Sequence, residues 1–152
     1  LFGRSPDHVL AVRLNCDTGV GWIPKWDVPA TGGLEGLRAL SSFAASSRHR
    51  IGGSVEYRFM PIRNLHASVM RLGYITALQF AFFVDGAAIS DDIESLFDSS
   101  STLIDVGIGF RPHADVFGVL PGIISIDVAY LLPILGAAQG GTNVVLSFYQ
   151  PF

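Results

Sequence analysis

The sequence predicts an all-β fold, the C-terminal strands (about six) of an antiparallel transmembrane β-barrel. Three observations point there. Segments rich in Val, Ile, Phe and Tyr are separated by clusters of Gly, Pro, Asp and Ser. Within the segments, apolar and polar side chains alternate with period two. The 152 residues are 49% hydrophobic and 15% charged, whereas soluble domains carry roughly 25% charge.

A first strand is expected over His8–Asn15, with Leu10, Val12 and Leu14 on one face and Arg13 on the other. The long segment Gly19–Arg50 follows. Gly52–Pro61 places Val55, Tyr57 and Phe59 opposite Glu56 and Arg58. Ile62–Ile75 reads as a connection longer than a tight turn. Ala77–Gly86 sets Leu78, Phe80, Phe82 and Val84 against Gln79 and Asp85. After a loop at Ile89–Thr102, Leu103–Pro112 sets Ile104, Val106, Ile108 and Phe110 against Asp105, Gly107, Gly109 and Arg111. Ile123–Leu132 sets Ile124, Ile126, Val128 and Tyr130 against Ser125 and Asp127. The last strand, Thr142–Phe152, follows Pro133–Gly141 and sets Val144, Leu146, Phe148 and Phe152 against Asn143, Ser147 and Tyr149. His8 and Gln150 are the polar exceptions on the apolar face, and both stand at strand ends.

Alternation alone also suits a soluble sandwich or small barrel, apolar inside and polar outside. Two features favour the membrane. Lys25 is the only lysine, too little for a solvent coat, and the apolar face is aromatic or aliphatic on every strand. A cation misplaced on a lipid face costs about 2–4 kcal/mol at mid-depth, enough to enforce segregation. On the other face Arg13, Arg58 and Arg111 stand with Glu56, Asp85, Asp105 and Asp127 and can largely pair. The uncharged stretch Val128–Phe152 is long enough for a membrane helix. Pro133, Gly136, Gly140, Gly141 and Pro151 argue against one, since an interior proline costs about 3 kcal/mol.

The composition excludes several functions. A net charge of −3 gives no reason to expect nucleic-acid binding. A single cysteine, Cys16, rules out an intrachain disulfide framework. There is no GxSxG elbow and no HExxH, and His8, His49, His66 and His113 lack ligand spacing. No enzyme activity, cofactor or metal site is expected. Asp91, Asp92, Glu94 and Asp98 read as a solvated external loop, with a divalent-cation site as the lesser reading. The chain begins at Leu1 with no basic stretch before an apolar run. It reads as one barrel portion, residues 1–152, of a longer exported chain.

Several motifs carry a resemblance. Asp27–Pro61 contains Gly32-Gly33, then Leu37-Arg38-Ala39-Leu40, then Glu56-Tyr57-Arg58-Phe59. Phe82-Phe83-Val84-Asp85-Gly86, Val106-Gly107-Ile108-Gly109-Phe110-Arg111, Ile126-Asp127-Val128-Ala129-Tyr130 and Leu146–Phe152 follow in order. This series resembles the BamA/TamA-type outer-membrane assembly superfamily, the bacterial surface antigen barrels. Its members show GG, an LRGY- or VRGF-like tetrad in a long loop, EYRFP, FxDxG and GxGxR strands, and a terminal strand ending in Phe. Ala39 and Leu40 stand where the family has glycine and an aromatic. Gly86 comes one position earlier than the motif's glycine.

The resemblance implies strands 11 to 16 of a sixteen-stranded barrel in the outer membrane of a Gram-negative type cell. It implies assistance to insertion or translocation of other proteins, without an enzymatic step. Implied partners are outer-membrane lipids, client proteins, and periplasmic or lipoprotein components. It implies that Arg38 folds back into the lumen to pair with Asp85, with Glu56 and Asp105 nearby and Arg111 on the same wall. The alternative is an exposed, unpaired loop arginine. Gly32, Gly33 and Leu37 would shape the loop, and Phe148, Tyr149 and Phe152 would form a C-terminal recognition strand. Gly107 and Gly109 either leave room for the loop or allow close strand packing. A barrel of this type can also anchor or export a patatin-like hydrolase, and a soluble ligand-binding barrel is a further alternative.

Overall fold

The computed structural model describes residues 7–69, 73–116, 120–137 and 139–149. Its main body is a six-stranded antiparallel sheet in the order β1-β4-β5-β6-β7-β8. The strands are β1 (His8–Thr18), β4 (His49–Val69), β5 (Gly73–Ser90), β6 (Thr102–Val116), β7 (Leu120–Leu131) and β8 (Gly141–Tyr149). Two short strands, β2 (Ala30–Thr31) and β3 (Ala45–Ser46), pair within the long segment between β1 and β4. Short 3-10 turns at Gly33–Glu35, Ser95–Phe97 and Ser99–Ser101 complete the loops. No helix among the described residues is long and apolar enough to cross a membrane. The sheet is open, with β1 and β8 as its edges.

Each of the six expected strands is present, in sequence order. The largest difference lies at Ile62–Ile75, expected as a connection. There β4 continues to Val69 and β5 begins at Gly73, and the two pair down to Val69↔Gly73. A register shift between Phe59 and Ile62 explains the miss. A bulge inserts a residue, so the side-chain parity flips and the alternation breaks. Above the bulge the outward residues are Val55, Tyr57 and Phe59. Below it the outward, exposed positions are Ile62, Asn64, His66 and Ser68. The outward face therefore turns from apolar to mostly polar at the bulge.

One face of the sheet is apolar and exposed, and the other is charged and buried. Leu10, Val12, Leu14, Val55, Phe82, Val84, Ile108, Val128, Val144, Leu146 and Phe148 are all exposed. Ser54, Glu56, Asp85, Asp105, Arg111, Ser125 and Asp127 are all buried on the other face. Across the strands His8, Phe59, Phe80, Phe110, Ile126 and Leu146 stand in one register row. The Phe59 and Phe80 rings stack at 5.5 Å, Phe80 and Phe110 lie at 5.3 Å, and His8 Nδ1 lies 2.7 Å from the Tyr57 hydroxyl. The row is aromatic on β4, β5 and β6, while on β7 and β8 the apolar face continues one pair further, to Ile124 and Phe148. At its upper end, that face gives way to the polar row Thr18, His49 and Ser90. Between these limits, from Ile51 to Phe59, β4 rises about 27 Å at about 3.4 Å per residue.

Candidate functional site

The buried face would be unstable as a bare wall of carboxylates. Its relief comes from the β1–β4 segment, which folds onto it. Gly32 and Gly33 begin that fold. Both have positive φ, 128° and 64°, which glycine adopts freely. A Cβ on Gly32 would collide with the Ser41 carbonyl, and Gly33 N–H donates to Leu40 O at 2.9 Å. The chain thus closes a tight loop around residues 34–40.

At its tip Leu37-Arg38-Ala39-Leu40 forms a β-turn, closed by Leu40 N–H donating to Leu37 O at 3.2 Å. Ala39 is not among the residues of positive φ. A turn with negative φ at its third position accepts most residues. The alanine in place of the family's glycine is thereby accommodated. Leu37 is fully buried, and Ala39 packs with Phe83, Ala129 and Leu131.

Arg38 is 6% exposed, and all its N–H groups are used. Nε donates to Asp85 Oδ2 at 2.7 Å and Nη2 to Asp85 Oδ1 at 2.9 Å, a bidentate fork. Nη1 donates to Glu56 Oε2 at 2.8 Å and to Asp127 Oδ2 at 3.0 Å. Nη2 also reaches Ser54 Oγ at 3.3 Å. The guanidinium carbon lies 3.3 Å from the centroid of the Phe83 ring, a cation–π contact. Burial opposes the charge on Arg38. The hydrogen bonds and charges of Asp85, Glu56 and Asp127 outweigh it and raise the guanidinium pKa further.

Asp85 and Asp105 stand directly opposite on β5 and β6, an unfavourable like-charge pair. The turn answers both with adjacent donors. Arg38 holds Asp85, and Ala39 N–H donates to Asp105 Oδ2 at 2.8 Å. Arg111 completes the wall. Its Nη2 donates to Glu56 Oε2 at 2.9 Å and its Nε to Ser125 Oγ at 3.0 Å. Glu56 also accepts from Arg58. In formal charges, the strand side chains around the docked turn are Arg13, Arg58 and Arg111 against Glu56, Asp85, Asp105 and Asp127, one negative charge in excess, with Arg50 and Asp17 paired to each other at the upper end. Arg38 cancels that excess on docking. A cavity of about 370 Å³ remains beneath the turn, lined in part by Arg13, Arg58, Gln79 and Asp127.

The structure therefore brings Arg38, Asp85, Glu56, Asp105 and Arg111 into one cluster, with Gly32, Gly33 and Leu37 shaping the loop that delivers it. Phe148 is not part of the cluster. It is outward-facing and exposed on β8. Tyr149 ends β8, its backbone opposite Ile123. Phe152 lies outside the described residues, as do Gln150 and Pro151.

Four contributors were not singled out as site residues from sequence: Ser54, Phe83, Asp127 and Asn143. Asn143 Nδ2 donates to Arg38 O at 2.9 Å and Leu40 O at 3.1 Å, tying the edge strand β8 to the turn. Parity already placed Asp127 and Asn143 on this face. Phe83 was hidden by its aromatic neighbours, although it shares the parity of Asp85. Gly107 and Gly109 serve close packing. A Cβ on Gly107 would overlap the Phe83 ring, and one on Gly109 would overlap the Asp127 carboxylate. Gly107 thus lets Phe83 lie flat beneath Arg38. Among the described residues no group of His, Cys, Asp and Glu is arranged to hold a metal ion.

No family model, curated protein or solved structure matches the chain.

Proposed function

We propose that this chain is part of an outer-membrane β-barrel that assists insertion or translocation of other proteins. The observation that carries the reading is the Arg38 turn, docked on the charged face of a sheet whose other face is apolar and exposed. The apolar face runs nine residues along β4, Ile51 to Phe59, which matches the roughly 9–11 residues a tilted strand needs to span a bilayer. Phe59, Phe80 and Phe110 near its lower end on β4–β6, with Phe148 on β8, suit an interfacial girdle. In water such a face would exceed the few hundred Å² that soluble monomers expose, which counts against a soluble ligand-binding barrel. Closure would require further strands to pair with the β1 and β8 edges.

The assembly reading rests on the docked loop and its resemblance to the surface antigen barrels. The mechanism is non-enzymatic. An unpaired strand edge templates an incoming strand through main-chain hydrogen bonds, beside a locally disturbed bilayer. The test uses the full-length protein in phospholipid vesicles. A urea-unfolded β-barrel client is added, and its folding is followed by heat-modifiable gel mobility. The proposal expects faster folding than in vesicles holding an unrelated barrel. Equal rates contradict it.

A further inference from the structure

We propose that the loop 20–28 is a membrane-interface anchor, which seats Trp22 and Trp26 in the lipid headgroup layer beside the upper end of β1. The inference rests on the barrel reading above. Both tryptophans of the chain lie in this loop, and they are 85% and 87% exposed. Val20 is equally bare. The exposure is not that of a frayed segment. Gly19 N–H donates to Arg48 O at 2.8 Å where the loop leaves β1, and Ser47 N–H donates to Pro29 O at 3.1 Å where it returns. Arg50 joins the same base through Asp17 and the Ala30 carbonyl. Within the loop, Asp27 N–H donates to Pro24 O at 2.9 Å, a turn with Lys25 and Trp26 at its centre. A closed, hydrogen-bonded loop therefore displays its largest apolar side chains.

Placement and chemistry select the occupant. Trp22, Ile23 and Pro24 line one cleft with Cys16 and Thr18, the last outward-facing residues of β1. The loop thus continues the apolar face past the polar row where that face ends. Indole is suited to that depth, with an apolar body and a polar N–H, and tryptophan is enriched where hydrocarbon meets water. Lys25, the only lysine, sits at the turn between the two rings and supplies a cation for lipid phosphate.

Bromine quenching tests this on the full-length protein in phosphatidylcholine–phosphatidylglycerol vesicles. The loop signal is the emission lost in the double variant Trp22→Phe/Trp26→Phe. Phe82→Trp, made in that double variant, reports the apolar face. Lipids brominated near the headgroup should quench most of the loop signal, and lipids brominated near the chain ends should quench less. Phe82→Trp should show the reverse order. Lys25→Glu should weaken the shallow quenching. A loop signal untouched by either lipid, beside a quenched Phe82→Trp, overturns the anchor. That holds whether acrylamide then reaches the rings or another part of the chain or a second copy shields them. An unquenched Phe82→Trp overturns the membrane reading, and the anchor with it.

Discussion

The segment between β1 and β4 carries two arms that treat water in opposite ways. One arm, Leu37–Leu40, buries an arginine among carboxylates. The other, Val20–Trp26, leaves two tryptophans bare. The same inversion separates the faces of the sheet, where Asp105 is wholly buried and Phe82 is 52% exposed. The two arrangements meet different physical requirements. A buried charge is tolerated only when paired and fully hydrogen-bonded. A broad apolar surface is tolerated only when something apolar covers it. The polar arm is satisfied by this chain's own residues; on the proposed reading the apolar arm is satisfied by lipid.

Arg38 is where the polar arm is most readily released. Arg38→Ala leaves Asp85, Glu56 and Asp127 buried without their common partner. Removing one member of a buried ion cluster costs about 3–5 kcal/mol. Limited proteolysis of residues 32–47 should accelerate strongly, while the apolar arm stays unchanged. Cleavage at the wild-type rate would show that the cluster does not hold the loop. Gly107→Ala attacks the same arm from below. Its Cβ would displace Phe83 from beneath the guanidinium, and overpacking of this kind costs about 1–3 kcal/mol. The urea midpoint should fall, and the additional substitution Phe83→Leu should recover part of the loss. The smallest effect belongs to Asn143→Ala. It removes two hydrogen bonds to the turn, each contributing about 1 kcal/mol. Hydrogen exchange should rise at the Leu40 amide and along β8, with little change on β4 and β5.

The positions of the strands and the residues that share a face were legible in the sequence because period-two alternation is a local signal. Leu10 through Leu14, and Ile124 through Tyr130, separate from Arg13 and from Asp127 by parity alone, whereas the order of neighbouring strands came with the resemblance. The lower half of β4 was not legible. The bulge after Phe59 flips parity and the outward positions Asn64 and His66 are polar, so the segment reads as a connection rather than as more strand. The cluster was legible in its members but not in its assembly. Charges on a common face announce a need for partners. Nothing local to Arg38 says that it supplies one, and that expectation came from the resemblance alone. Ala39 fits the turn because the turn that forms does not need the left-handed backbone a glycine would allow. Phe83 was missed because an aromatic on the charged face is unusual until an arginine is stacked on it.

In the proposed barrel the apolar face meets hydrocarbon while the charged face meets water. Spin-label accessibility on the full-length protein in bilayers, in a Cys16→Ser background, tests it most directly. Nitroxides at Phe82→Cys and Ile108→Cys should be relaxed by oxygen and shielded from a water-soluble nickel chelate. A nitroxide at Gln79→Cys, on the opposite face of β5, should show the reverse. Nickel relaxing Phe82→Cys and Ile108→Cys as strongly as Gln79→Cys would contradict the account.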